Sequence, residues 1–247
     1  MISAPTACAV VIPAHNEAGQ LPATLRSVHA AARHPALAGM SLVTVVAADD
    51  CTDNTAAVAR RLGAHVVETS GRNVGAARAA AAERALSLLG PGADRIWIAS
   101  TDADTLVPRR WLAHQMRHAR RGWECVVGTV RIAPHPLLSP VTAERHDAHY
   151  FAGRPASAAT WSHPHVHGAN LGVAAVPYLD AGGFPALRHS EDRALVAALE
   201  RDNRRIVRTD LCPVLTSGRS DFRAPHGLGA FLRLVAREGD LLPAPVE

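Results

Sequence analysis

Along the first two-fifths of the chain, short β-branched apolar runs alternate with stretches whose apolar residues recur every three or four positions. The pattern predicts strands at Ala7 to Ile12, Leu42 to Ala47, His65 to Glu68 and Arg95 to Ala99. Between them it predicts helices at Gln20 to Arg33, Asp53 to Leu62 and Val74 to Leu88. Leu21, Leu25, Val28 and Ala32 share one face of the first helix, and the strands are continuously apolar, as expected when both faces of a sheet are covered. Alternation of this kind implies an α/β fold with a mainly parallel central sheet flanked by helices.

Beyond Pro108 a helix carries Trp111, Leu112, Gln115 and Met116, and Cys125 to Val130 reads as another strand. Periodicity fades from Ile132 to His165; a loop that long in a compact domain is usually functional, so it is assigned to binding a second substrate. A strand-like His167 to Val173 follows, then a Gly182-Gly183-Phe184-Pro185 turn, a helix from Glu191 to about Arg201, a short strand at Ile206-Val207 and a last helix near Leu228 to Arg237. No internal repeat is present, and the Ala-rich stretch at Ala76 to Ala85 is helix.

Composition narrows the choices. At 247 residues and 48% apolar, the chain supports one domain over residues 1–247. The apolar run from Met1 to Ile12 is cut by Pro13 and reads as a buried strand, not a signal peptide. No other run approaches the roughly 20 residues of a membrane span, so a cytoplasmic protein without integral membrane association is expected. Cys8, Cys51, Cys125 and Cys212 lack C-x-x-C spacing and read as small hydrophobes in a reducing compartment. The chain contains no Lys, so its 26 basic residues are all Arg, which excludes a P-loop and a Schiff base. The net charge of +4 is dispersed, so nucleic acid is not an expected partner. Dispersed Arg suits phosphate on a small ligand, or plain solvation.

In parallel sheets ligands sit at the carboxyl ends of the strands, and the polar signatures fall there. Pro13-Ala14-His15-Asn16-Glu17 follows the first strand, Asp49-Asp50-Cys51-Thr52-Asp53 the second and Thr101-Asp102-Ala103-Asp104 the fourth. Asp102 and Asp104 flank one small residue, so both carboxylates can meet a hard dication such as Mn or Mg, although Asp is also common in turns. Glu191 and Asp192 open a helix, where acids favour the dipole with Ser190 as cap; the catalytic alternative is a general base. Asp49 can read a base edge, with Asp53 structural. Arg72 to Arg78 leads into a helix whose N-terminus favours phosphate; Arg78 can instead be a solvated helix residue. His163, His165 and His167 alternate and would share a face on a strand, but no fourth zinc ligand is evident, so they are read as polar lining. His226 is a candidate further metal or phosphate ligand, or an ordinary surface histidine.

The ordered set resembles a family-2 glycosyltransferase of the GT-A fold, a Rossmann-like single domain, from about Ala9 to Leu215. The carriers are Val10 to Glu17, Val46 to Thr55, Thr101 to Asp104, Gly168-Ala169-Asn170-Leu171-Gly172 with Gly182-Gly183-Phe184, and Ser190-Glu191-Asp192. The resemblance implies that Pro13, Asn16, Glu17 and Asp49 hold the nucleoside, Asp102 and Asp104 the ribose and metal, and Asp192 acts as base. Adding the adjoining turns, nucleotide contacts extend to Ala14, Arg72, Asn73, Arg78 and Ala103, and the metal set to Asp102, Asp104 and His226. Glu191 joins Asp192 as a catalytic candidate, and Tyr150, Trp161, His165, His167, Gly168 and Asn170 are assigned to the acceptor. Residues to about 105 would form the nucleotide-binding part and those from about 106 the acceptor-binding part.

Family-2 enzymes invert the anomeric centre by single displacement, so the resemblance implies metal-assisted transfer, a hexosyl transfer by expectation, from a UDP- or GDP-sugar to a small-molecule or glycoside acceptor. The chain departs from the family at Ala48 and at Asp50-Cys51, which stand where an acid and a Gly-Ser pair are usual, and it lacks the Q-x-x-R-W signature of processive members. A homodimer is admissible. The rival readings are a sugar-phosphate nucleotidyltransferase, which would carry a Gly-rich loop and a Lys, and a catalytically inactive nucleotide-sugar binder.

Overall fold

Alternation along β1 (Ala7–Ala14) sends Cys8, Val10, Ile12 and Ala14 into one core and Ala9 and Val11 into another. The computed structural model, which describes residues 3–133 and 140–217, shows why both sides need cover. On the first face lie α1 (Leu21–Ala32), α2 (Thr55–Arg61) and α4 (Trp111–Ala119); on the second lie α3 (Val74–Leu89), α6 (Ala175–Asp180) and α7 (Glu191–Arg201). Among the described residues the chain is one α/β domain of three layers.

Among the described residues the central sheet takes eight strands. With β2 (Ser41–Asp49), β3 (His65–Thr69), β4 (Ile96–Ser100), β5 (Thr105–Leu106), β6 (Cys125–Ile132), β7 (Leu171–Ala174) and β8 (Ile206–Thr216), the order is β3-β2-β1-β4-β7-β6-β8-β5. β1 to β4 run parallel, β7 is antiparallel to both β4 and β6, and β8 is parallel to β6. The carboxyl ends of β1, β2, β3, β4, β6 and β8 therefore share one edge.

Two buried tryptophans lock α4 onto the sheet, each N–H finding an acceptor as a buried indole requires. Trp97 donates to Gln115 Oε1 at 2.8 Å and Trp111 to Asn170 Oδ1 at 2.9 Å. All four cysteines are free thiols; Cys8, Cys125 and Cys212 are buried, as expected, whereas Cys51 is half-buried in the turn after β2, and burial pushes Cys8 and Cys125 up to about 12.

The second half departs from expectation in three places. The supposed irregular segment contains α5 (Pro140–Tyr150), whose sparse apolar residues hide its period and whose first residue is a proline, favourable at a helix start. The strand-like run at His167 is a 3₁₀ turn, Gly168–Asn170, before a four-residue β7. β8 is eleven residues long, not two, because a register shift between Gly128 and Val130 lets Asp210 to Pro213 bow out, and a bulge tolerates a proline that a regular ladder would not. Asn170 Nδ2 satisfies the carbonyls freed there, donating to Thr129 O at 2.8 Å and Cys212 O at 3.0 Å. The helix expected near Leu228 lies outside the described residues.

His114 on α4 is 5% exposed and its Nε2 has no hydrogen-bond partner. Burial, followed by the charges of His118, Arg117 and Arg110, pushes its pKa from 6.5 down to about 4. Between those values the unfolded chain binds more protons than the folded one, so stability falls as pH drops through that window. In urea titrations from pH 7 to pH 4.5, His114→Gln is expected to show a shallower loss of midpoint than the parent; an identical slope would refute the assignment.

Candidate active site

The turns after β1 and β2 are stapled to each other by side chains. Pro13 and Ala14 complete β1, paired with Ala47 and Ala48. Asn16 then takes a left-handed backbone, φ 51°, and its Oδ1 accepts from the Thr52 and Asp53 backbone N–H groups at 2.7 and 3.2 Å. Asp53 returns the bond, accepting from Ala18 N at 3.0 Å, while buried Glu17 donates its N–H to Thr55 Oγ1 at 2.7 Å. Asp53 also accepts from Thr55 N, in keeping with a structural role.

Asp49, expected to face a ligand, is buried beneath the turn after β3. Its carboxylate accepts from Thr69 Oγ1 and Gly71 N, both at 2.9 Å, and from Asn73 N at 2.7 Å. Three such bonds set the path of that turn and aim the N-terminus of α3 at the sheet edge. Asn73 caps α3, accepting from Ala76 N at 3.0 Å, and donates from Nδ2 to Ala186 O at 3.0 Å. A Cβ on Gly75 would stand 2.0 Å from Pro185 O, so only glycine allows this approach. Arg72 stays at the surface, its Nε 2.7 Å from Asp50 Oδ2 with both side chains well exposed.

Arg78 is the centre of the arrangement. The solvated-helix alternative does not hold: the side chain is 2% exposed, one Nη donates to Asp102 Oδ1 and the other to Glu191 Oε1, and its guanidinium lies 5.6 Å from the centre of the Phe184 ring. The sequence marks Phe184 only as part of the Gly182-Gly183-Phe184 turn that carries the family resemblance, and nothing local signals its place beside Arg78. Gly168 backs the guanidinium so closely that a Cβ there would sit 2.4 Å from Arg78 Nη1.

On one side of this cation stands the Asp-Ala-Asp turn. Ala103 is buried and its carbonyl accepts from Thr24 Oγ1 at 2.8 Å, while Thr105 N donates to Asp102 O at 3.2 Å, so the two acids project from an anchored turn. On the other side α7 begins with Glu191, buried on Arg78, and Asp192, half-buried. Asp192 Oδ2 accepts from Gly168 N at 2.6 Å and Oδ1 from Arg193 N at 2.7 Å. Ser190 makes no side-chain cap; its φ of 63° turns the chain into the helix instead.

His163, His165 and His167 do share a face, their rings 5.9 and 6.3 Å apart. Tyr150 stacks on His165 at 3.8 Å, and Trp161 packs edge-on against the same ring. The ring nitrogens face protein atoms: His165 Nε2 meets Tyr150 O at 2.8 Å, His167 Nε2 meets Tyr150 Oη at 3.0 Å, and His163 Nε2 meets Val127 O at 3.1 Å. Burial pushes His163 and His165 below the usual imidazole value. Asn170, assigned to the acceptor, faces inward with its amide fully used by Trp111, Thr129 and Cys212.

Among the described residues no three His, Cys, Asp or Glu side chains converge closely enough to hold a metal alone; His226 lies outside them. Asp102 and Asp104 nonetheless fit a hard dication of the Mg type, which is commonly held by one or two carboxylates plus substrate phosphate and water.

A family model described as Glycosyl transferase family 2 matches residues 9–174. The chain belongs to that family. Solved structures agree in fold. TarS of S. aureus, residues 1–349 in complex with UDP-GlcNAc, is 16% identical with a TM-score of 0.61, covering 97% of this chain and 68% of that one. A mannosyltransferase of Pyrobaculum calidifontis in complex with GDP-Man and Mn2+ is 19% identical with a TM-score of 0.62, covering 96% of this chain and 65% of that one. GalNAc-T7 with UDP, GalNAc and Mn2+ gives 14% identity and a TM-score of 0.62, over 87% and 44%. No curated protein sequence matches the chain. This family-2 glycosyltransferase thus has the GT-A fold, and the nucleotidyltransferase reading is set aside. No helix of the described residues is long and apolar enough to cross a membrane.

Removing the shared cation strands two carboxylates, and breaking a buried ion pair from one side costs about 3–5 kcal/mol. Arg78→Met is expected to lose stability on that scale in urea unfolding, and adding Glu191→Gln to recover part of it. A single variant within about 1 kcal/mol of the parent would show that the pairing is not structural.

Proposed function

We propose that this enzyme transfers a hexosyl group from a UDP- or GDP-sugar to a hydroxyl of a small or glycoside acceptor, inverting the anomeric centre. The observation that carries the reading is the Arg78 guanidinium shared by Asp102 and Glu191. It brings the turn after β4 and the start of α7 to one point, so the donor and the base would face each other across it. Support by analogy comes from the GT-A structures solved with nucleotide sugars, which carry fold rather than substrate.

In this scheme residues up to about 105 hold the nucleotide and those beyond about 106 the acceptor. Pro13, Ala14, Asn16 and Glu17 line the nucleoside with the stapled turns. Asp49 and Asn73 shape the third turn, and Arg72 approaches the phosphates from the surface. Asp102 and Ala103 meet the ribose, and Asp102 and Asp104 hold a divalent cation, Mn or Mg. The chemistry such a cation supplies when bound is neutralisation of the departing diphosphate. Arg78 offsets part of the negative charge of Asp102 and Glu191 and holds both acids in place, leaving the diphosphate charge to the cation. Asp192, its Oδ2 oriented by the Gly168 N–H, takes the proton of the acceptor hydroxyl. The acceptor oxygen bonds the anomeric carbon as the bond to the diphosphate oxygen breaks, and the nucleoside diphosphate leaves with that electron pair; an α-linked donor gives a β-linked product.

A panel of UDP-, GDP- and dTDP-sugars, scored by protection from melting with and without EDTA, tests the donor. Asp104→Ala is expected to abolish the metal-linked protection. Asp192→Asn is expected to keep it and to lose turnover by roughly 10²–10⁴-fold, the usual contribution of a general base. Full turnover in both variants would overturn the assignments.

A further inference from the structure

Charge that reads as dispersed along the chain is segregated in three dimensions. Residues 18–48 and 105–123 contain seven Arg and no Asp or Glu, so the rest of the chain, with 19 Arg against 22 acids, is net negative. Those two stretches supply α1 and α4 with their flanking turns, and the two helices pack against each other on the first face of the sheet. Each turns its apolar residues inward, Leu21, Leu25 and Val28 on α1 and Trp111, Leu112 and Met116 on α4. The outward positions carry the cations. Arg26 and Arg33 stand seven residues apart on α1; Arg110, Arg117 and Arg121 recur at seven and four along α4 and the turn after it, with Arg109 and Arg120 beside them. All seven are exposed.

Neither helix stability nor ion pairing accounts for them. Cations in the last turn of a helix favour its dipole, which suits Arg117 and Arg120 but not Arg109 and Arg110, at the end where the dipole opposes a positive charge. Arg60, Arg131, Arg204 and Arg208 each meet a carboxylate, whereas among the described residues none of the seven does. Arg110 and Arg120 each donate from Nη2 to a backbone carbonyl, Leu211 O at 3.0 Å and Ala36 O at 3.1 Å, which fixes the course of the stripe. Its field is felt inside: after burial, the charges of Arg121 and Arg117 lower the His118 pKa. The surface is not only cationic. Leu211, whose carbonyl takes the Arg110 bond, is 43% exposed, and Leu106 on the edge strand β5 is 39% exposed. Past the far end of α4, Arg205 lies over the half-buried Trp123 ring at 5.0 Å.

We propose that the outer face of α1 and α4 is a docking surface for an anionic phospholipid bilayer, with the arginines on headgroup phosphates and Leu106 and Leu211 at the edge of the hydrocarbon. Guanidinium groups suit phosphate oxygens, and a row of them beside exposed leucines matches a boundary where phosphate meets apolar chains. A nucleic acid would use the arginines and leave the leucines without a partner. Arg109 stands five residues after Asp104, so the stripe begins close to the Asp-Ala-Asp turn and the docked protein carries that turn near the membrane surface. This surface is distinct from the donor-site residues above and does not depend on which sugar they hold.

The test floats the full chain with vesicles of phosphatidylcholine alone or with about 30 mol% phosphatidylglycerol, at about 0.1 M salt. The protein is expected to float with the anionic vesicles and not with the neutral ones, and to be released at about 1 M salt, where screening shortens the reach of a charge to roughly 3 Å. Each Arg at an anionic leaflet strengthens binding roughly fivefold. Arg117→Gln combined with Arg120→Gln and Arg121→Gln is therefore expected to raise the lipid concentration for half-binding at least tenfold. Arg84→Gln combined with Arg188→Gln and Arg201→Gln removes the same charge from exposed positions on or beside α3 and α7, and is expected to raise it less than threefold. The lipid-composition and salt arms need no variant and hold even if a substitution unfolds the chain. Equal loss in the two triple variants, flotation with neither vesicle, equal flotation with both, or retention of a short DNA duplex at salt that releases the vesicles overturns the inference.

Discussion

A guanidinium taken almost wholly out of water has to be matched by carboxylates, because the desolvation of a lone charge costs several kcal/mol. Arg78 meets that demand with one acid from the turn after β4 and another from the start of α7, elements far apart in sequence. The match sets the distance between α3, the Asp-Ala-Asp turn and α7, and the rest of the site hangs from it. Gly168 is confined to a residue without a side chain, and its N–H is thereby brought to Asp192. Cation and carboxylates also cancel much of their charge, so three ionisable side chains coexist in little space until a donor brings its own.

Much of the first half was legible along the chain because its strands are apolar throughout and its polar residues gather in the turns that follow them. That pattern reports the parallel sheet and the edge where chemistry collects. Partners were harder to read. Asp49 looks like a ligand-facing acid, yet its carboxylate is spent on three hydrogen bonds to a turn some twenty residues on, and nothing local signals them. Arg78 sits amid alanines in a helix of low apolar contrast, where burial depends on residues more than a hundred positions away. Asp210 and Pro213 disguise β8, since the bulge that accommodates them exists only in the context of β6 and Asn170.

The second half therefore uses polar side chains as fillers of broken ladder rather than as ligands. Asn170 completes the hydrogen bonding of the β6–β8 irregularity, and His163 settles against the Val127 and Thr209 carbonyls. Both residues carry the chemistry of a binding site and serve the fold. The histidine repeat makes the same point: alternation did place three rings on one face, but Tyr150 stacks on His165 and engages the Nε2 atoms of His165 and His167, while His163 Nε2 meets Val127 O.

Of the five non-glycine residues with left-handed backbones among the described residues, four, Asn16, Asp50, Arg72 and Ser190, lie in the turns that carry the proposed site. Each such residue holds of order 1–3 kcal/mol of strain that its neighbours must restrain. The molecule thus concentrates conformational tension along a single rim while its alanine- and valine-packed interior stays relaxed. Heat or denaturant would loosen that rim first, and a bound nucleotide, by clamping several of these turns together, would harden the very part of the protein least able to hold itself.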